Sequence, residues 1–235
     1  TRPLVYARPR VGILTTGSEL ADPEEPLTGG RIVNSNRYTF QAVAAEAGCE
    51  PVFLGAPGDT VEAIAAALED GFARCDAILT TGGVSVGDYD MTPAALDAAG
   101  VNTLIREVDL KPGGACAYGE RAGKPVFCLS GNPASALTNF YAVALPALRR
   151  LRGLGRPHLE ELRVRIKTDY PKRSPKTRLL RGRLDLSGGT AWMELAEAQG
   201  NGVLHTMIGC DVLAVVPAGS GRLAAGTELD AYRLN

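Results

Sequence analysis

The chain has 235 residues, 45% hydrophobic and 22% charged, with 25 basic and 26 acidic side chains and a formal net charge of −1. That length holds one large domain or two small ones around a substantial core, and the neutral balance gives no global field for nucleic acid. No apolar run reaches the roughly 18 residues that a membrane span needs. In chain order, apolar periodicity predicts a strand at 10–15, a helix at 35–47, a strand at 51–55 and a helix at 60–73. A strand at 76–81, a helix at 92–99, strands at 102–108 and 125–129, and a long helix at 134–152 follow. The helix 60–73 shows the pattern best, with Val61, Ile64, Ala65, Leu68 and Phe72 spaced by three and four and Thr60 as N-cap. The run 101–124 departs from the alternation and reads as a hairpin-like excursion.

Gly153-Leu154-Gly155-Arg156-Pro157 marks a linker. Beyond it lie period-two strands at 162–167, 178–185, 190–195, 203–207, 212–216 and 228–234, parted by Gly-rich turns. The expectation is a mostly parallel α/β sheet with helices on both faces over 1–152, then a small all-β barrel or sandwich over 153–235. Charge is uneven between them. Residues 1–150 hold 12 basic and 17 acidic side chains, and residues 151–235 hold 13 and 9. The basic stretch 152–183 reads as a solvated strand surface before it reads as a phosphate- or RNA-binding face.

The five cysteines have no CxxC pairing, and His158 and His205 have no ligand spacing, so a zinc site is not expected. An odd cysteine count without a framework points to a reducing, cytoplasmic setting. The chain opens on Thr1-Arg2-Pro3, with no signal-peptide pattern and no initiator Met, and reads as a fragment or processed piece of a longer protein.

Three strand ends deliver small residues. Val11–Leu14 leads into Thr15-Thr16-Gly17-Ser18-Glu19, Ala77–Leu79 into Thr80-Thr81-Gly82-Gly83-Val84-Ser85-Val86-Gly87-Asp88-Tyr89-Asp90, and Pro125–Leu129 into Ser130-Gly131-Asn132-Pro133. Glycines between a strand and a helix expose backbone N–H groups that suit an anion, and ligands of open α/β sheets sit at the carboxyl ends of the strands. Acids beside such a cradle suggest a phosphorylated ligand with a metal ion between them. Each loop alone is equally well a tight structural turn. Asn132-Pro133 is good helix punctuation, and Asp59 could cap the helix 60–73.

These stretches, with Asn36-Arg37, Gly58-Asp59, Lys111-Pro112-Gly113 and Gln199-Gly200-Asn201-Gly202, resemble the molybdopterin molybdenumtransferases, a family that includes the E domain of gephyrin. The resemblance implies an enzyme of molybdenum cofactor biosynthesis. Such an enzyme takes molybdopterin-AMP and molybdate as substrates, releases AMP with the help of Mg²⁺ or a similar divalent cation, and leaves molybdenum on the dithiolene. It implies Asp90, Lys111 and Glu19 as catalytic residues, with Asp90 and Glu19 also metal ligands. Thr16, Gly17, Asp59, Gly82, Gly83, Ser85, Ser130, Gly131 and Asn132 would bind the pterin and its phosphates. It implies a pterin small-molecule partner, a homodimer in the full-length family, and neither nucleic acid nor membrane.

Two positions depart from the family pattern. Ser18 stands where Asp is frequent, and Gly114-Ala115 follows Lys111-Pro112-Gly113 where a second Lys and Pro are frequent. The family also carries two further domains before the position where this chain begins, which puts turnover and dimerisation of the chain in question. The alternatives are a molybdopterin adenylyltransferase, which shares the α/β domain but usually lacks the β tail, and a non-catalytic pterin-binding or protein-scaffold module.

Overall fold

The computed structural model describes residues 2–84 and 91–234. The chain divides into two compact units. The first comprises Thr1–Val108, Ala115–Gly131 and Val143–Pro157, and the second Asp109–Gly114, Asn132–Ala142 and His158–Asn235. The strands in chain order are β1 (Arg10–Thr15), β2 (Leu20–Ala21), β3 (Ile32–Val33), β4 (Glu50–Gly55), β5 (Ala77–Thr81), β6 (Asn102–Glu107), β7 (Leu110–Lys111), β8 (Ala115–Arg121), β9 (Lys124–Leu129), β10 (Glu160–Ile166), β11 (Thr177–Asp185), β12 (Trp192–Leu195), β13 (Val212–Val216) and β14 (Glu228–Arg233). The helices are α1 (Ser35–Glu46), α2 (Val61–Arg74), α3 (Thr92–Ala98), α4 (Pro133–Asn139) and α5 (Leu145–Leu151).

The first unit is built on a six-stranded sheet of order β4-β1-β5-β9-β8-β6. Its first four strands run parallel, and β8 and β6 add antiparallel at one edge. The β8–β9 hairpin turns at Ala122 and Gly123, both with positive φ (52° and 77°), the geometry that suits the twist of a two-residue connection. Both faces of β1, β5 and β9 are buried, which requires helices on both sides. Leu14, Ile78, Val126 and Cys128 form a core with Ile64, Leu68 and Phe72 of α2 and Leu96 of α3. On the other face Ile13, Leu79 and Phe127 are also buried, and α1 packs on β1 and β4. The Thr60 hydroxyl accepts from Ala63 N–H at 3.2 Å and so starts α2 as its sequence predicts.

The second unit is a closed five-stranded barrel. β10 pairs with β14, β14 with β13, β13 with β11 and β11 with β12, all antiparallel, and a parallel β12–β10 pairing closes the ring. Val164, Ile166, Leu180, Met193, Val212, Ala214 and Ala231 fill it. The short β7 joins the start of β11 in parallel, pairing Leu110 with Thr177 and Lys111 with Arg178.

Two sequence expectations need correction. The helix expected over 134–152 is interrupted by a π turn at Phe140–Ala144. Pro146 has no N–H for the preceding turn and its ring crowds the backbone there, so the α-helical ladder cannot run through. The stretch expected as a strand at 203–207 is a 3₁₀ turn, Leu204–Met207, in which Thr206 Oγ1 donates to Val203 O at 2.7 Å. That local bond competes with a ladder. Among the described residues no helix is long and apolar enough to cross a membrane.

Candidate functional site

In the first unit the parallel order β1-β5-β9 sets three strand ends side by side, and the loops that leave them touch. The Thr16 N–H donates to Thr81 O at 2.9 Å, and the Thr16 hydroxyl donates to the same oxygen at 3.4 Å. The Gly82 N–H donates to Leu129 O at 3.1 Å. Gly82 (φ +95°) is pressed against Thr16. A Cβ there would meet the Thr16 carbonyl and lie 2.6 Å from its hydroxyl. A Cβ on Gly131 would lie 3.4 Å from Gly82 Cα, and one on Gly83 (φ +62°) would strike the Thr92 hydroxyl. Thr16, Gly82, Gly83 and Gly131 therefore form one cluster in which glycine backbone is pressed against backbone and threonine hydroxyls.

The anion-cradle expectation gains a detail. The N–H groups of Thr16 and Gly82 are spent within the cluster. Those of Gly17 and Gly83 meet no backbone acceptor among the described residues. The Glu19 side chain is exposed and folds back over Gly17, its Oε2 lying 2.6 Å from where a Gly17 Cβ would be. Asp59 does not cap α2. Its Oδ2 accepts from Ser18 N–H at 2.8 Å, which ties the loop before α2 to the loop after β1. Ser85 and Asp90 lie outside the described residues, as does Asp88.

Two asparagines at the start of α1 brace this cluster, and neither was expected as a site residue. Asn34, 3% exposed, caps α1 by accepting from Arg37 N–H at 3.1 Å and donates to Thr15 Oγ1 at 2.8 Å. Asn36 donates to Gly131 O at 3.0 Å, so helix α1 is fastened to the first and third strand ends. An Asn just before an apolar-periodic helix is a readable N-cap signal. The link to Gly131 spans 95 residues and leaves no local trace.

Lys111 and Asn132 belong to the second unit. Lys111 is exposed at the end of β7, where a cis bond joins it to Pro112, and Asn139 Nδ2 donates to Gly113 O at 2.7 Å. Asn132 takes the N-cap position of α4 with extended backbone, and its carbonyl receives Ala136 N–H at 2.9 Å, but its side chain makes no cap bond. Nearby, the loop Ala198–Gly202 is held by Arg181, a fully buried cation. Its guanidinium donates to Ala198 O, Gly200 O and the Thr206 hydroxyl at 3.1, 3.0 and 3.1 Å. Burial lowers the Arg181 pKa from its usual value.

Residues 12–150 match the family described as "Probable molybdopterin binding domain". The chain belongs to that molybdopterin-binding domain family. Residues 163–234, the barrel, match the MoeA C-terminal region, domain IV. A molybdopterin molybdenumtransferase of Bacillus subtilis is 35% identical over 177 residues, covering 75% of this chain and 41% of its own length. One from a Nostoc species is 32% identical over 231 residues, covering 96% of this chain and 53% of its own. The crystal structure of a molybdopterin biosynthesis MoeA protein from Pyrococcus horikosii superposes with a TM-score of 0.81 at 26% identity, over 97% of this chain and 55% of that one. The chain thus spans about half the length of the curated relatives it matches.

Proposed function

We propose that this chain performs the metal-insertion step of molybdenum cofactor biosynthesis, taking molybdopterin-AMP and molybdate and releasing AMP. The observation that supports it most is the packed cluster of Thr16, Gly82 and Gly131, where missing Cβ atoms let three loops close on one another at the carboxyl ends of parallel strands, the place where open α/β sheets take their ligands. Phosphate oxygens of the substrate would meet the N–H groups of Gly17 and Gly83, with Ser85 and Ser130 as hydroxyl donors. Lys111 would attract molybdate or balance charge on the phosphoryl group.

Among the described residues no three His, Cys, Asp or Glu side chains converge on a metal position. Mg²⁺ does not require such a set, because it is commonly held by one or two carboxylates together with substrate phosphates. Glu19, an exposed hard oxygen donor beside the cradle, suits that role, with Asp90 as its partner. A bound cation would neutralise charge between phosphate oxygens as the phosphoanhydride breaks. The match of the barrel to a MoeA C-terminal region favours this reading over the adenylyltransferase alternative. The cytoplasmic setting agrees with five buried cysteines, none of them in a disulfide among the described residues, and the homodimer of the full-length family is part of the same reading.

The test is AMP release from molybdopterin-AMP with molybdate and Mg²⁺, in this chain and in Asp90→Asn. Release that falls with the substitution is the expected result. Tight pterin binding without release assigns a binding domain whose chemistry needs further parts of the protein. Neither binding nor release overturns the proposal.

A further inference from the structure

We infer that Asn139 is a positioning residue for the Lys111–Pro112–Gly113 turn, and through it for the Lys111 ammonium that meets an oxyanion. The inference rests on the reading of Lys111 given above. Asn139 ends α4 immediately before the π turn Phe140–Ala144 and is fully buried. Its Nδ2 donates to Gly113 O at 2.7 Å. Among the described residues its Oδ1 has no hydrogen-bond partner.

A buried carboxamide with one half unsatisfied is unfavourable, and an apolar side chain of the same size would fill the space without that penalty. The polar group is therefore explained by what its other half holds. Gly113 has φ +106°, and a Cβ on it would lie 2.7 Å from Asn139 Cγ and 2.9 Å from Nδ2. The carboxamide thus lies flat against a backbone that only glycine supplies. On its other side the turn is pinned by the β7–β11 pairing, Leu110 with Thr177 and Lys111 with Arg178. Lys111 is clamped between a strand pairing and a side-chain bond, with buried Pro112 between them, so an exposed lysine stands on a fixed backbone. Such fixing reduces the entropy lost when the ammonium engages an anion. The π turn adds to the argument, because insertions of this kind recur beside functional residues.

Molybdate affinity, measured by calorimetry in the wild type, Asn139→Leu, Lys111→Met and the double variant, tests this, with the urea midpoint recorded for each. The expected result is a loss of about tenfold in each single variant and no further loss in the double one, since the two act through one contact. If Asn139→Leu does not fold, Asn139→Asp serves. It keeps the shape, replaces the donor with an acceptor facing Gly113 O, and gives the same loss. A loss from Asn139→Leu that persists undiminished in the Lys111→Met background identifies a structural residue and overturns the inference. A loss in Lys111→Met alone also overturns it while leaving the Lys111 reading intact. Unchanged affinity in Lys111→Met, or no molybdate binding by the wild type, removes the Lys111 reading and this inference with it.

Discussion

The carbonyl and hydroxyl of Thr16 occupy the space that a side chain on Gly82 would need. The two residues are 66 positions apart, yet the β1–β5 register and the bond from Thr16 N–H to Thr81 O press them together. Gly82→Ala must therefore place a Cβ against backbone at φ +95°, where an L side chain is strained already. The expected cost is about 1–3 kcal/mol or more of unfolding free energy, seen as a lower urea midpoint. Pterin binding falls with it, because the cluster must spread to admit the methyl group.

Asn34→Ala removes the N-cap of α1 and the bond to Thr15 Oγ1 in one step. Cap loss alone costs about 1 kcal/mol, and leaving a buried hydroxyl without its donor adds about 1 kcal/mol. The urea midpoint falls accordingly. Asn34→Asp retains the cap acceptor but not the donor to Thr15, and recovers part of the loss.

Arg181→Met keeps the aliphatic stem in the second unit but leaves Ala198 O and Gly200 O without their guanidinium donors. Loss of the donors at these part-buried carbonyls costs about 1–3 kcal/mol in all, while removal of a buried charge returns part of that. The net expectation is destabilisation by about 2 kcal/mol with a loosened Ala198–Gly202 loop. Faster amide exchange at Ser135, whose N–H donates to Asn201 O at 3.0 Å, reports the loop directly.

The thiols define a pH response. Burial raises the pKa of Cys49, Cys75, Cys116 and Cys210 above the ordinary 9.0. The folded state then holds protons that the unfolded chain releases, so this contribution is complete below about pH 8 and is lost as pH rises through the thiol range. The urea midpoint should drop on the alkaline side, less steeply in Cys210→Ala. All five thiols should react with Ellman's reagent only after unfolding, since all are buried.

Much of this protein was legible in its sequence because the governing forces are local. Val61, Ile64, Leu68 and Phe72 announce α2 by spacing, and the alternation of strands and helices announces a sheet covered on both faces. The Gly-rich loops at the three strand ends were legible for the same reason, since glycines after a buried strand need no partner to be recognised. The errors fell where a local rule met a competing one. Pro146 broke a helix whose apolar pattern runs on, and the Thr206 hydroxyl turned an apolar stretch into a 3₁₀ turn.

The sequence by itself determined the two fold classes and the residues delivered at three strand ends, because composition and periodicity act over a few residues at a time, and its motifs carried the resemblance to a family. Tertiary structure alone decided which of those groups face one another. Gly82 against Thr16, Asn36 on Gly131, and Asn139 on Gly113 join residues 66, 95 and 26 positions apart. No local propensity encodes such pairs. They exist because sheet order and register set distant backbones side by side, and only then does a missing Cβ or a buried carboxamide acquire a role.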